Sequence, residues 1–174
     1  MNNSVVMAIC DGLAQVGIAS LRFNFRGAGG SQGTYDDGRG EIDDALEALR
    51  FLAAHEEIDA GSVGLAGYSF GAGVAMKAAL EDDLPKALSV VARARVDPED
   101  DLKRRPSLPI QFVVGDRDRL MPLDQINDLA DKLTISPEMH VIPGADHFFQ
   151  GQDREVGELV AGFFQRWLKP IQQT

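Results

Sequence analysis

The stretch Val63-Gly64-Leu65-Ala66-Gly67-Tyr68-Ser69-Phe70-Gly71-Ala72-Gly73 limits the fold of this chain more than any other. A short apolar run ends in Gly-x-Ser-x-Gly, and a helical run of small residues (Val74, Ala75, Met76, Ala78, Ala79, Leu80) follows at once. The pattern is a strand, a very tight turn and a helix, with a serine at the apex. So sharp a turn forces the apex residue into a strained backbone conformation and brings strand and helix into contact. Side chains at Gly67 and Gly71 are therefore expected to collide. The serine hydroxyl stands clear of the sheet, above the N-terminus of the helix. The Phe70 N–H and the helix dipole then face any negative charge that develops nearby.

Around this stretch, strands and helices alternate. Val6, Ile9, Cys10, Leu13 and Ala14 fall at helical spacing within residues 4–16, with Ser4 or Asn3 as cap and Gly17 as stop. Ile18 to Phe25 reads as a strand, and Arg26 to Gly33 as a glycine-rich loop. A second helix over about 40–54 puts Ile42, Ala45, Leu46, Leu49 and Leu52 on one face. Beyond the serine helix, Ala87–Ala92 and Ile110–Val114 read as strands joined by a polar connection through Pro98, Glu99, Asp100, Asp101, Lys103, Arg104, Arg105 and Pro106. Pro122 opens a helix with Leu123, Ile126, Leu129, Ala130 and Leu133 inward. Glu138–Ile142 is the last strand, and the final helix carries the stripe Val156, Leu159, Val160, Phe163, Phe164 and Trp167. Such alternation predicts an α/β fold: a mostly parallel sheet of about five strands with helices on both faces. No repeat, low-complexity tract or long linker divides residues 1–174, which are expected to form a single domain.

Charge narrows the partners. A net charge of −10 opposes binding to nucleic acid and to anionic membrane surfaces, and no apolar run reaches membrane-spanning length. The N-terminus lacks the basic-then-apolar pattern of a signal peptide, so a cytoplasmic location is expected. The one cysteine, Cys10, lies on a helical face among Val6, Ile9 and Leu13, where a buried, inert thiol is expected. No His/Cys/carboxylate cluster has metal-ligand spacing, so neither a metal nor a cofactor is expected.

In parallel sheets, sites gather at the carboxyl ends of the strands. Ser69, Asp118 and His147 stand at three such ends. A serine hydroxyl is a weak nucleophile until a base takes its proton; an imidazole does so near neutral pH, and a carboxylate fixes the imidazole's tautomer. His55 ends a helix and His140 lies within a strand, both fitting structural or solvated roles, so His147 is the base. For the acid there are three candidates. Asp146 adjoins the histidine, Asp116 suits a turn-holding role through backbone N–H groups, and Asp118, which reaches further over the strand end, is preferred. Gly27-Ala28-Gly29-Gly30 suggests a dinucleotide loop, but the third fingerprint glycine falls at Gln32 and no helix starts there, so a plain loop is expected. Arg93 and Arg95 suit either an anion clamp or, by preference, salt bridges to the acidic run Asp97, Glu99, Asp100 and Asp101.

Taken together, Gly67-x-Ser69-x-Gly71, Gly115-Asp116-Arg117-Asp118 and Gly144-Ala145-Asp146-His147 resemble the α/β-hydrolase fold family, in its Ser…Asp…His order. Arg22-Phe23-Asn24-Phe25-Arg26-Gly27-Ala28-Gly29-Gly30-Ser31 is similar to the loop of small capless members related to dienelactone hydrolases and bacterial esterases. The resemblance spans nearly the whole chain. It implies Ser69 as nucleophile, His147 as base, Asp118 as orienting acid and the Phe70 N–H as one oxyanion donor. A dienelactone hydrolase proper carries cysteine at the apex, whereas serine here favours cleavage of small carboxylic esters through an acyl-enzyme. The short connection before Ile110 implies that no lid domain covers the site. The alternatives are peptide or thioester substrates for the same triad, or a non-catalytic binding module of the same fold.

One departure stands at the front. Family members begin with further strands and supply a second oxyanion donor just before the first helix, whereas Met1-Asn2-Asn3 is already a cap region. The family strand missing here lies between those matching Ile18–Phe25 and Ser62–Ala66. Three outcomes follow: the two strands pair directly, another chain fills the slot, or the reading frame is an incomplete piece of an ordinary hydrolase. The last is preferred, and the fold is then a truncated α/β-hydrolase fold with impaired activity. An open sheet edge also implies a homodimer.

Overall fold

The computed structural model describes residues 2–93, 105–131 and 136–168. Most of the polar connection after Ala92 lies outside them, including Arg95 and the acidic run at 97–101, as does Leu133. The described residues form four strands, β1 (Leu65–Tyr68), β2 (Leu88–Val91), β3 (Ile110–Gly115) and β4 (Glu138–Ile142), in one sheet of order β1-β2-β3-β4 with every neighbouring pair parallel. Five α-helices cover it: α1 (Ser4–Gln15), α2 (Arg39–Ala53), α3 (Phe70–Glu81), α4 (Leu123–Ala130) and α5 (Asp153–Trp167).

Helix boundaries follow local chemistry. Asn3 caps α1, its side chain accepting from the Val6 N–H at 3.1 Å, and Gly17, with φ +75, ends it in the left-handed region. Pro122 sits one residue earlier than expected, as the cap of α4. Arg105 lies over the end of α3, its guanidinium donating to the carbonyls of Ala79 and Asp82, which the helix leaves open, and to that of Pro85 in the loop beyond.

The central strands are buried on both sides, as in a doubly covered parallel sheet. Their polar pair is satisfied: Ser89 Oγ donates to Gln111 Oε1 at 2.8 Å and Gln111 Nε2 to the Leu159 carbonyl at 3.0 Å. One face packs Val91, Val113 and Ile142 against α1 and α5. The other packs Leu88, Val90 and Phe112 against α3 and α4, and α2 packs on α3 through Ile42, Ala45, Leu46, Val74 and Ala78. Helices α1 and α5 cross at two glycines: a Cβ on Gly12 would lie 2.5 Å from the Gly157 carbonyl oxygen, and one on Gly157 2.2 Å from that of Ala8. Two expectations from the apolar stripes fail. Trp167 is half-exposed, its indole N–H donating to Glu138 at 3.1 Å, and Cys10 is only half-buried, lining a cavity.

The larger correction concerns Ile18–Phe25. The segment is not a strand: it makes no ladder and does not pair with β1. Direct closure of the sheet is thereby overturned, and among the described residues the sheet has four strands rather than about five. Backbone geometry shows why β1 is open on that side. Alternate residues of a parallel strand turn their N–H and C=O groups to opposite sides. The Leu65 and Ser69 N–H groups bond the carbonyls of Ala87 and Val91, so those of Ala66 and Tyr68 face away from β2. Between β1 and residues 17–25 lies a cavity of about 700 Å³, which reaches Ser69 and is lined largely by apolar side chains.

Candidate active site

The turn from β1 to α3 takes the expected form. Ser69 has φ 54 and ψ −117, an uncommon conformation for a residue with a side chain. A Cβ on Gly67 would lie 2.2 Å from the Gly71 carbonyl oxygen, so glycine is obligatory there. The expected collision at Gly71 does not occur: a Cβ there would meet only Phe25 Cε2, at an ordinary 3.8 Å. Gly71 contributes its backbone as the surface that Gly67 approaches.

Ser69 Oγ lies 2.8 Å from His147 Nε2, and His147 Nδ1 lies 2.7 Å from Asp118 Oδ2. Histidine and aspartate are both buried. The other aspartate oxygen, Oδ1, accepts from the Leu120 and Met121 N–H groups at 2.8 and 3.1 Å. The carboxylate is therefore held on both oxygens, with one aimed at the imidazole. Asp116 does hold the turn: its Oδ1 accepts from the Gly144 N–H at 2.7 Å, tying the loop after β3 to the loop after β4. The same loops meet again where the Arg117 N–H donates to the Ala145 carbonyl at 2.9 Å. Asp146 accepts from the Phe148 N–H within its own turn, at 2.9 Å. The Phe70 N–H opens α3, where the helix offers it no acceptor.

Two positioning groups were not singled out from the sequence. The Tyr68 hydroxyl donates to the His147 carbonyl at 3.0 Å, and the rings stand 5.8 Å apart. Burial, and then the charges of Asp118 and Asp146, push the Tyr68 phenol above its ordinary pKa, so it remains a donor at neutral pH. Glu41, fully buried, accepts from the Asp36 and Gly38 N–H groups at 2.9 and 2.8 Å and shapes the loop below Phe70. Its place at the third position of a helix is a capping signal that could have been read in advance.

The glycine-rich loop takes no nucleotide-binding form. Gly27, Gly29 and Gly33 have positive φ, and the next helix starts only at Arg39. Arg26 anchors the loop, its backbone N–H and guanidinium both bonding Asp44. Arg93 is buried, with Nη1 2.8 Å from Met76 Sδ of α3. His55 Nδ1 accepts from Glu57 N–H at the end of α2, and His140 lies 3.8 Å from Glu138 on β4; neither joins the Ser69 group. Among the described residues no cluster of His, Cys, Asp or Glu is placed to hold a metal ion, and no helix is long and apolar enough to cross a membrane.

A parallel sheet with helices on both faces, and a serine on the tight turn into a helix, define the class as that of the α/β hydrolases. The dienelactone hydrolase family model matches residues 31–171, and the chain belongs to that family. It is 34% identical over 168 residues to an uncharacterized protein of Rickettsia prowazekii, covering 92% of this chain and 70% of that one. It is also similar to an α/β serine hydrolase homologue from Coxiella burnetii, at 36% identity and TM-score 0.83 over 93% of this chain and 76% of that one. A lidless α/β serine hydrolase from Xanthomonas campestris shares 30% identity at TM-score 0.84, over 97% of this chain and 76% of that one.

Proposed function

We propose that this hydrolase cleaves small carboxylic esters by acyl transfer through Ser69. The observation that carries the reading is the unbroken relay from Ser69 Oγ to His147 Nε2 at 2.8 Å and from His147 Nδ1 to Asp118 Oδ2 at 2.7 Å. As Ser69 Oγ forms its bond to the carbonyl carbon, His147 Nε2 takes the hydroxyl proton and the carbonyl π electrons move onto oxygen. Phe70 N–H donates to that oxyanion, favoured by the helix dipole. When the carbonyl re-forms, the ester C–O bond breaks and His147 returns its proton to the departing alkoxide. Water then attacks the acyl-serine by the same route, releasing the acid. Asp118, unable to reorient, keeps the imidazole in the tautomer with its proton on Nδ1 and offsets the positive charge of the imidazolium.

The serine apex and the absence of a lid domain expected from the sequence fit small acyl substrates; peptides and thioesters suit the same triad, and comparing model ester, thioester and peptide substrates separates them. A cytoplasmic location belongs to the same reading. The open cavity beside β1 favours a second reading, a non-catalytic binding module, in which Ser69→Ala leaves the biological role intact. The test is a stoichiometric serine-reactive phosphonate on the folded protein. Labelling confined to Ser69 and lost in His147→Ala is the expected result, and an unlabelled Ser69 rejects acyl transfer.

A further inference from the structure

Exposed aromatic side chains gather around Ser69. Phe70, the residue after the serine, is 39% exposed, and its ring packs 5.7 Å from Phe25 and 5.7 Å from Tyr35, itself 63% exposed. Phe23 continues the row, edge-on to Phe25 at 5.1 Å. Across the serine, Phe148 is 57% exposed and packs edge-on to His147 at 5.5 Å. Isolated exposed apolar residues need no explanation, but a contiguous row beside a reactive centre marks a binding surface.

The chemistry sorts the two sides. The leaving alcohol must lie within hydrogen-bond reach of His147 Nε2, which returns its proton. Its substituent therefore lies on the Phe148 side. With the alcohol at His147 and the oxyanion at the Phe70 N–H, the acyl substituent is the group left to occupy the cavity that Ser69 shares with Phe70, Phe23 and Phe25. The loop carrying Tyr35 is held from beneath by Glu41, and its hydroxyl donates to Asp37 at 3.1 Å, so the row is fixed before substrate arrives. The rings already meet there edge to face or tilted, with interplanar angles of 84° for Phe23–Phe25, 87° for Phe25–Phe70 and 52° for Tyr35–Phe70. That leaves a face or edge for one further ring.

We infer that Phe70 and Tyr35 determine acyl specificity, selecting esters whose acyl group carries a phenyl ring. The inference rests on the acyl transfer proposed at Ser69. An added aromatic pair is worth about 0.5–1.5 kcal/mol beyond area burial, which corresponds to a preference of about twofold to tenfold. The experiment compares kcat/KM for ethyl phenylacetate and ethyl cyclohexylacetate, whose acyl groups match in reach and differ in aromaticity. It uses the wild type, Phe70→Leu and Tyr35→Leu, each checked for an unchanged circular dichroism spectrum. The expected result is a phenyl-to-cyclohexyl ratio of about two to ten in the wild type that falls towards one in both variants. A wild-type ratio at or below one, or a ratio kept in both variants, overturns the inference. Should the wild type hydrolyse neither ester, saturation-transfer NMR of the intact esters on Ser69→Ala decides separately. Selective binding of the phenyl ester, lost when Phe70→Leu is added, upholds the aromatic surface while acyl transfer fails. Equal binding of both esters overturns the surface as well.

Discussion

Ser69 Oγ and His147 Nε2 stand 2.8 Å apart because the tight turn fixes Ser69 and the loops after β1, β3 and β4 are tied to one another. The Asp118 carboxylate is the fixed point, and replacing it by asparagine tests what it fixes. Asp118→Asn preserves the shape but favours the wrong imidazole tautomer, so kcat for a model ester is expected to fall about 10⁴-fold. A fall of less than tenfold in steady-state kinetics would remove Asp118 from the relay. Tyr68 acts through His147. Tyr68→Phe removes one hydrogen bond of modest worth, and kcat is expected to drop about twofold to tenfold with KM nearly constant; a rise in KM alone would contradict a positioning role. Of these residues, Ser69, Asp118 and His147 were legible from residue type and chain order. Tyr68 was not: its partner is a backbone carbonyl 79 positions away, and no local spacing encodes such a bond.

At the scale of elements, the turn between β1 and α3 makes an asymmetric demand on its two glycines. Gly67→Ala places a Cβ 2.2 Å from a backbone oxygen that cannot move without parting strand from helix. A loss of about 3 kcal/mol or more in denaturant unfolding is expected. Gly71→Ala meets only ordinary contact and gains helix propensity, so its stability should lie within about 1 kcal/mol of wild type. Equal losses at both positions would refute this description of the turn. The glycine-rich loop is held by charge. The Arg26 hydrogen bonds keep the Asp44 carboxyl below its ordinary pKa. Stability from this contact is therefore present above the ordinary carboxylate value of about 3.9 and lost as pH falls through the lower folded value. Asp44→Asn is expected to melt below wild type at pH 7, with the gap closing towards pH 2; a gap independent of pH would mean the pairing contributes nothing. Helices were legible to within a residue or two, because their caps and periodicity are local. Residues 18–25 misled because Ser20, Leu21, Arg22, Phe23, Asn24 and Phe25 alternate as a strand does, while a strand also needs a neighbour to bond.

On the scale of the whole molecule, the open side of β1 dominates. Among the described residues, the peptide groups of Ala66 and Tyr68 face a cavity of about 700 Å³ instead of a further strand, and an unpaired edge is a template for another chain. We expect a homodimer through this sheet edge, seen as a concentration-dependent mass in light scattering; a monomer at every concentration would contradict it. The parallel sheet and the layering of helices on both its faces were legible from alternating elements, while the order of its strands and the unfilled side of β1 depended on packing that no local pattern carries. The central claim is that Ser69 is a working nucleophile, and hydrolysis of p-nitrophenyl acetate by purified wild type beside Ser69→Ala tests it most directly. Turnover above background in the wild type, abolished in Ser69→Ala, is the expected result; equal rates in the two proteins would contradict it.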